Sequence, residues 1–109
     1  HHYSTERASA DFVPKSWRVE RYGDTLRFVV TYDSQVDRDC SLFNPPQGSA
    51  FMLVKRNAII SGADQTVTVD LPVSSVNGIG EITMKFYQSG TDERNFIYFH
   101  TSQLAELLK

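Results

Sequence analysis

The chain has 109 residues, with 11 basic and 13 acidic side chains for a formal net charge of −2; 40% of it is hydrophobic, 12% is aromatic, and it has one cysteine. That length makes one domain with room for an ordinary core. The composition excludes a disordered chain, an intrachain disulfide framework, and a strongly basic nucleic-acid binder or a polyanionic tail. Basic and acidic side chains are mixed throughout, six and seven in residues 1–39, two of each in 40–79, and three and four in 80–109. The longest purely apolar run, Phe51-Met52-Leu53-Val54, is far shorter than the roughly 20 residues of a membrane-spanning helix. Neither nucleic acid nor membrane is expected as a partner.

Residues 1–13 are polar and aperiodic and read as a flexible arm or a tag or linker remnant, with His1 and His2 as the end of a purification tag. A domain is expected over 14–101. After Pro14, Trp17 and Val19 alternate with Arg18 and Glu20, a strand signal, and Tyr22-Gly23-Asp24 reads as a turn. Leu26, Phe28, Val30 and Tyr32 then fall on one face of a strand, with Thr25, Arg27, Val29 and Thr31 on the other. Residues 33–49 read as a long loop, broken by Pro45-Pro46 and anchored on the core by Leu42 and Phe43. Loops of that length are often functional.

Ala50–Lys55 reads as a strand covered on both faces. A turn at Arg56-Asn57, a short strand Ala58-Ile59-Ile60 and a turn at Ser61-Gly62-Ala63-Asp64 follow. Val67, Val69 and Leu71 mark the next strand, ended by Pro72. A connection with Asn77-Gly78 and Gly80 leads to Ile82, Met84 and Phe86, which alternate with Glu81, Thr83, Lys85 and Tyr87. Residues 88–94 read as a hairpin loop and Phe96–Phe99 as the last strand. Ser102 is a plausible N-cap for a short helix over 102–109, with Leu104, Leu107 and Leu108 on one face. Eight residues do not hold a helix alone in water, so this one is expected to dock, to pair with a partner, or to lead as a connector into a following segment. The sum is an all-β chain: an antiparallel β-sandwich of about seven strands, or a small barrel, with a short C-terminal helix.

Three constellations carry possible chemistry. Asp33, Asp37 and Asp39 form an oxygen-rich stretch that could hold a metal, but they lack the ligand order of an EF-hand and read as a solvated loop balanced by Arg38. Cys40 with His100 would make a thiolate–imidazole pair. No third residue orients that pair, and the plain reading is a small apolar cysteine and a satisfied strand-end histidine. Trp17, Tyr22, Tyr32, Phe43, Tyr87 and Tyr98 could include rings for stacking on sugars or a protein. Tyr87, opposite the Ile82-Met84-Phe86 face, is the best placed. No phosphate loop, zinc motif or hydrolase motif occurs. No catalytic residue, metal ligand or cofactor is therefore assigned. The candidate contact residues are Tyr87, Trp17, Leu104, Leu107 and Leu108.

Tyr22-Gly23-Asp24-Thr25-Leu26-Arg27-Phe28, then Phe51-Met52-Leu53-Val54-Lys55-Arg56, then Val67-Thr68-Val69-Asp70-Leu71-Pro72, a glycine-bearing turn at 78–80 and Glu81-Ile82-Thr83-Met84-Lys85-Phe86 follow one another in order. Over about residues 17–100 this series resembles the immunoglobulin-like N-terminal module of phage baseplate upper proteins and related tail-fibre domains. The Pro45-Pro46 loop departs from that pattern. The resemblance implies an immunoglobulin-like sandwich without catalytic residues, with the terminal helix as the start of a helical connector. It implies a non-enzymatic structural module that makes protein–protein contacts, with homo-oligomerisation through the C-terminal helix, in a virion or on an extracellular surface rather than in the cytoplasm. The alternative is a carbohydrate- or ligand-binding β-sandwich module.

Overall fold

Side chains that alternate in and out along a strand can cover a shared interior from two layers, and the chain uses that pattern throughout. The computed structural model describes residues 4–6, 11–44, 51–76, 81–88, 90–91, 94–100 and 104–108. Its strands are β1 (Ser4–Glu6), β2 (Phe12–Tyr22), β3 (Thr25–Ser34), β4 (Arg38–Asn44), β5 (Phe51–Ile59), β6 (Gly62–Pro72), β7 (Glu81–Tyr87) and β8 (Arg94–His100). They form two antiparallel sheets, a five-stranded sheet A in the order β1-β8-β7-β4-β5 and a three-stranded sheet B in the order β2-β3-β6. β2–β8 match the expected number of seven but not all the expected strands: β4 falls in the segment read as loop, β5 joins the two strands expected at 50–55 and 58–60, and β1 is added at the edge of sheet A. Among the described residues no helix is long and apolar enough to cross a membrane.

The inner face of sheet B is Leu26, Phe28, Val30 and Tyr32 of β3 with Val69 and Leu71 of β6, and sheet A answers with Cys40, Leu42, Ile82, Met84, Phe86, Ile97 and Phe99. Aromatic rings join the layers. Phe12 of β2 packs on Phe86 at 4.8 Å between centroids, and Phe28 meets Phe99 edge-on at 5.1 Å.

β2 has to turn both Phe12 and Trp17 toward this interior, an odd spacing that strict alternation forbids. The ladder with β3 slips between Pro14 and Ser16, so Lys15 is an extra residue that swings outward and changes the parity. Pro14 fits beside it because an edge strand can spare an N–H there. A second slip sits at a neighbouring level on the other side of β3, where Tyr32 pairs with Gln65 but Ser34 pairs with Gly62. Gly62 has φ +138°, a backbone conformation that strains any residue with a Cβ, so glycine is favoured there. Lys15 Nζ ties the two irregularities together, at 2.6 Å from Asp64 Oδ1 and 3.7 Å from Asp33 Oδ2.

The chain changes sheet four times, and two of these corners, β3 to β4 and β5 to β6, lie wholly within the described residues. After β3, Gln35 N donates to Asp11 O at 3.1 Å and Ser34 Oγ donates to Val36 O at 2.7 Å. After β5, Ile60 O accepts the Tyr32 hydroxyl at 2.7 Å and Ser61 N donates to Asp37 Oδ1 at 2.8 Å. The β2–β3 hairpin closes on Gly23 at φ +60°, the turn expected at Tyr22-Gly23-Asp24.

Several expectations are corrected. The segment read as an arm supplies β1, paired to β8 from Ser4 with Tyr98 to Glu6 with Phe96, and Phe12, which is fully buried. The long loop at 33–49 is largely strand: β3 runs on to Ser34 and β4 begins at Arg38. A local reading missed this because Asp33 and Asp39 look like turn residues but sit in paired strands, while Asp37 does lie in the short connection between them. β5 is continuous from Phe51 to Ile59, with no turn at Arg56-Asn57; its ladder with β4 absorbs two register shifts instead. The C-terminal helix over 102–109 is reduced, in the described residues, to the single turn Ala105–Leu108. Leu104, just before it, is fully buried in the core and Leu107 packs on the core's edge. Arg21 Nη1 donates to Leu107 O at 2.8 Å, pinning the end of the turn. His1, His2, the Pro45-Pro46 loop and the Asn77–Gly80 connection lie outside the described residues.

Two substitutions test this packing. Phe12→Ala should cost about 3–5 kcal/mol in chemical denaturation, whereas Val13→Ala, one residue on and outward-facing, should change little. Ending the chain after His100 should lower the melting temperature by several degrees through loss of Leu104; unchanged melting would mean that the terminal turn is not part of the core.

Candidate functional site

The outer face of sheet A is the surface that packing does not explain. Register aligns three rows across β4, β7 and β8: Asp39, Tyr87 and Arg94; Ser41, Lys85 and Phe96; Phe43, Thr83 and Tyr98. Each lies opposite in parity to the buried Cys40, Leu42, Met84, Phe86, Ile97 and Phe99, so all nine share the outward side. Four are aromatic. Phe96 and Tyr98 stack on each other at 5.7 Å and 23°. Lys85 Nζ stands 4.4 Å from the Phe43 centroid and 4.7 Å from that of Tyr87, and the Arg94 guanidinium is 5.6 Å from Tyr87. The Ser41 and Tyr87 hydroxyls lie 3.4 Å apart.

The electrostatics of this face are uneven. Burial among the rings lowers the Lys85 pKa below the usual lysine value, and the neighbouring Arg94 charge lowers it further. Thr83, at 5% exposure, buries its Oγ1 with no hydrogen-bond partner among the described residues. The outer face of sheet B carries one cation–ring pair, the Arg27 guanidinium 5.0 Å from the centroid of the exposed Tyr22, and is otherwise polar. Arg27 holds Asp70 with two bonds, at 2.9 and 3.1 Å, and Thr31 and Thr66 Oγ1 lie 3.3 Å apart. These are exposed, mutually satisfied pairs of the sort that keeps a sheet face in water.

Tyr87 stands where its strand position put it, on the outward side of β7, in a half-buried setting. Trp17 does not join it. Trp17 pairs with Val30 on the inner side of sheet B, packs against the core and buries its Nε1 without a partner among the described residues. It is therefore removed from the contact residues. Leu104 is core and Leu107 packs on it, so they present no free leucine stripe for an oligomer; the Leu108 side chain lies outside the described residues. Sequence reasoning missed Phe96, Lys85 and Arg94, and read Phe43 as a core anchor and Tyr98 as facing a partly buried side. The legible signal was Phe96-Ile97-Tyr98-Phe99, four large side chains in a row, which makes a strand apolar on both faces.

The other two constellations come apart. Asp33 Oδ1 accepts from Asp64 N at 2.8 Å, Asp37 accepts from Ser61 N, and Asp39 lies 3.9 Å from Arg56. Each carboxylate is engaged separately. No group of three or more His, Cys, Asp or Glu among the described residues is arranged to hold a metal. Arg38 does not balance a solvated loop: its side chain is fully buried, with Nη2 2.6 Å from Asp11 Oδ1, Nε 3.1 Å from Ser34 Oγ and the guanidinium 5.6 Å from the Phe12 centroid.

Cys40 aligns through Phe86 with Asn95, five residues along β8 from His100, a separation of about 16 Å. Cys40 is fully buried, and burial pushes its pKa up to about 12, with Asp39 adding to the rise. A thiol kept protonated is a poor nucleophile. Comparison of the chain with protein-family models, curated proteins and solved structures gives no match.

The raised Cys40 pKa has a signed consequence. The folded state favours the neutral thiol, so this stability is complete below the unfolded thiol pKa near 9 and is lost as pH rises from there toward 12. Wild type should therefore lose stability faster than Cys40→Ala between pH 9 and 11 in parallel denaturation series. In the folded protein at pH 8, iodoacetamide should leave Cys40 unlabelled.

Proposed function

We propose that the chain is a non-enzymatic recognition module that makes protein–protein contacts through the outer face of sheet A, as one element of a larger assembly. The observation that carries this reading is the cluster of Phe43, Tyr87, Phe96 and Tyr98 around Lys85 and Arg94 on a sheet face whose interior side is already filled. Aromatic residues and arginine are the side chains enriched where proteins meet. The buried, protonated Cys40 speaks against nucleophilic catalysis at that thiol.

An immunoglobulin-like fold goes with this reading. Lettered in chain order from β2, the strands pair as A-B-E in one sheet and G-F-C-D in the other. This differs from the ABED and CFG sheets of the constant-type immunoglobulin arrangement in the fourth strand, β5, which has moved to the other layer, and in β1, which adds a strand beside G. The setting in a phage tail, baseplate or similar surface structure rests on the sequence resemblance alone.

Carbohydrate binding is the second reading, favoured by four rings on one face. Sugar stacking needs open ring faces. Here Lys85 sits over Phe43 and Tyr87, and Phe96 and Tyr98 lie against each other, which favours the protein partner.

A photo-crosslinking residue at position 98, in cells that make the protein, should give a dominant adduct to another polypeptide, and one at position 66 on sheet B should not. Equal yields at the two positions would remove the reading. Glycan-array binding abolished by Tyr87→Ala would replace it with the carbohydrate one.

A further inference from the structure

Lys85 is the residue of the outer face that folding alone does not account for. Its ammonium is drawn partly out of water between Phe43 and Tyr87. No carboxylate among the described residues lies within ion-pair distance of it. Asp39, the acidic residue in the adjoining row, reaches instead toward Arg56 at 3.9 Å. Arg94, close by, adds a second positive charge and lowers the Lys85 pKa. In the row on the other side, the Thr83 hydroxyl is sealed in without a partner among the described residues. A cation partly drawn out of water without its anion is unfavourable for the chain alone, and a ligand carboxylate relieves it; the Thr83 hydroxyl is sealed beneath the face and takes no part.

We propose that Lys85, with Arg94 beside it, receives a carboxylate from an acidic, otherwise apolar peptide segment of a protein partner. This rests on the assignment of the outer face of sheet A as the docking surface and adds what that surface selects. The ammonium supplies the charge-assisted bond and Arg94 reinforces the positive potential. Phe43, Phe96 and Tyr98 cover the apolar body of the segment. The polypeptide source is preferred to an acidic saccharide for the reason already given: the rings are engaged with cations and with each other, so the face offers ring edges and positive charge in place of open stacking platforms.

The test is a selection of random twelve-residue peptides on the immobilised full chain, repeated on Lys85→Gln. Lys85 is on the surface, so the variant should fold, which its melting curve checks. The wild type should enrich peptides with Asp or Glu flanked by apolar residues, and a synthetic peptide from that pool should bind about tenfold more weakly to Lys85→Gln, or when its acid is replaced by the amide. An enriched pool without acids overturns the carboxylate assignment. If those neutral peptides are lost on Tyr98→Ser, the docking face itself stands. A pool unaffected by either substitution counts against both. Oligogalacturonate binding that depends on Lys85, with no acidic peptide recovered, overturns the polypeptide source.

Discussion

Everything in this molecule depends on keeping one set of side chains turned inward along two layers. A strand offers its faces with a period of two, so a slip of one residue would send an entire row of apolar groups into water. β3, β6 and β7 satisfy the rule by composition, with Leu26 to Tyr32, Val67 to Leu71 and Ile82 to Phe86 at even spacing. β2 cannot, because Phe12 and Trp17 are five residues apart. The bulge at Lys15 resolves the conflict. The lysine it expels is not left idle: it bridges to Asp64 and Asp33 across the matching irregularity between β3 and β6. Bulges increase local twist, so a parity correction in an edge strand also shapes the end of sheet B where the chain leaves for sheet A.

That same end holds the one fully buried charge among the described residues. Arg38 opens β4, but its partners come from ahead of β2 and from the end of β3: Asp11 at 2.6 Å and Ser34 at 3.1 Å. A buried guanidinium is tolerable only when its partners are fixed. The Gln35-to-Asp11 backbone bond and the bond from the Ser34 hydroxyl to Val36 O supply that fixity. The ion pair is therefore less a source of stability than a register device, since it is satisfied only when the start of β2, the end of β3 and the start of β4 meet at one corner.

The interior was legible in the sequence because periodicity reports burial wherever one face is wet. Leu26, Phe28, Val30, Tyr32, Ile82, Met84 and Phe86 all sit where alternation puts them. What was not legible depended on distant pairing. Ser4–Glu6 has no strand pattern of its own and becomes a strand because β8 has an edge to cover. Arg38 among Asp37 and Asp39 looks like a solvated run, and only its contact with Asp11 makes it a buried residue. Trp17 carries no mark that separates an inward tryptophan from an exposed one; its orientation follows from a bulge two residues earlier. The candidate site was half legible. Tyr87 could be placed from its own strand, but its neighbours Phe43, Phe96 and Arg94 come from two other strands, and only the ladder order β8-β7-β4 brings them together.

The contrast between the two outer faces is what gives that grouping its weight. Sheet B resolves its outward charges internally, Arg27 with Asp70 and Lys15 with Asp33 and Asp64, and fills the space between with threonines. Sheet A clusters four rings, where sheet B exposes Tyr22 alone beside Arg27 and otherwise places threonines. It holds a lysine against two of them and buries a hydroxyl without a partner. Both sheets solve the same folding problem on their inner sides, so folding does not require the difference on the outer sides. A face that tolerates a partly desolvated cation and an unmade hydrogen bond has given up stability that a row like Thr31 and Thr66 would have kept, which is the pattern expected where a surface is shaped for binding.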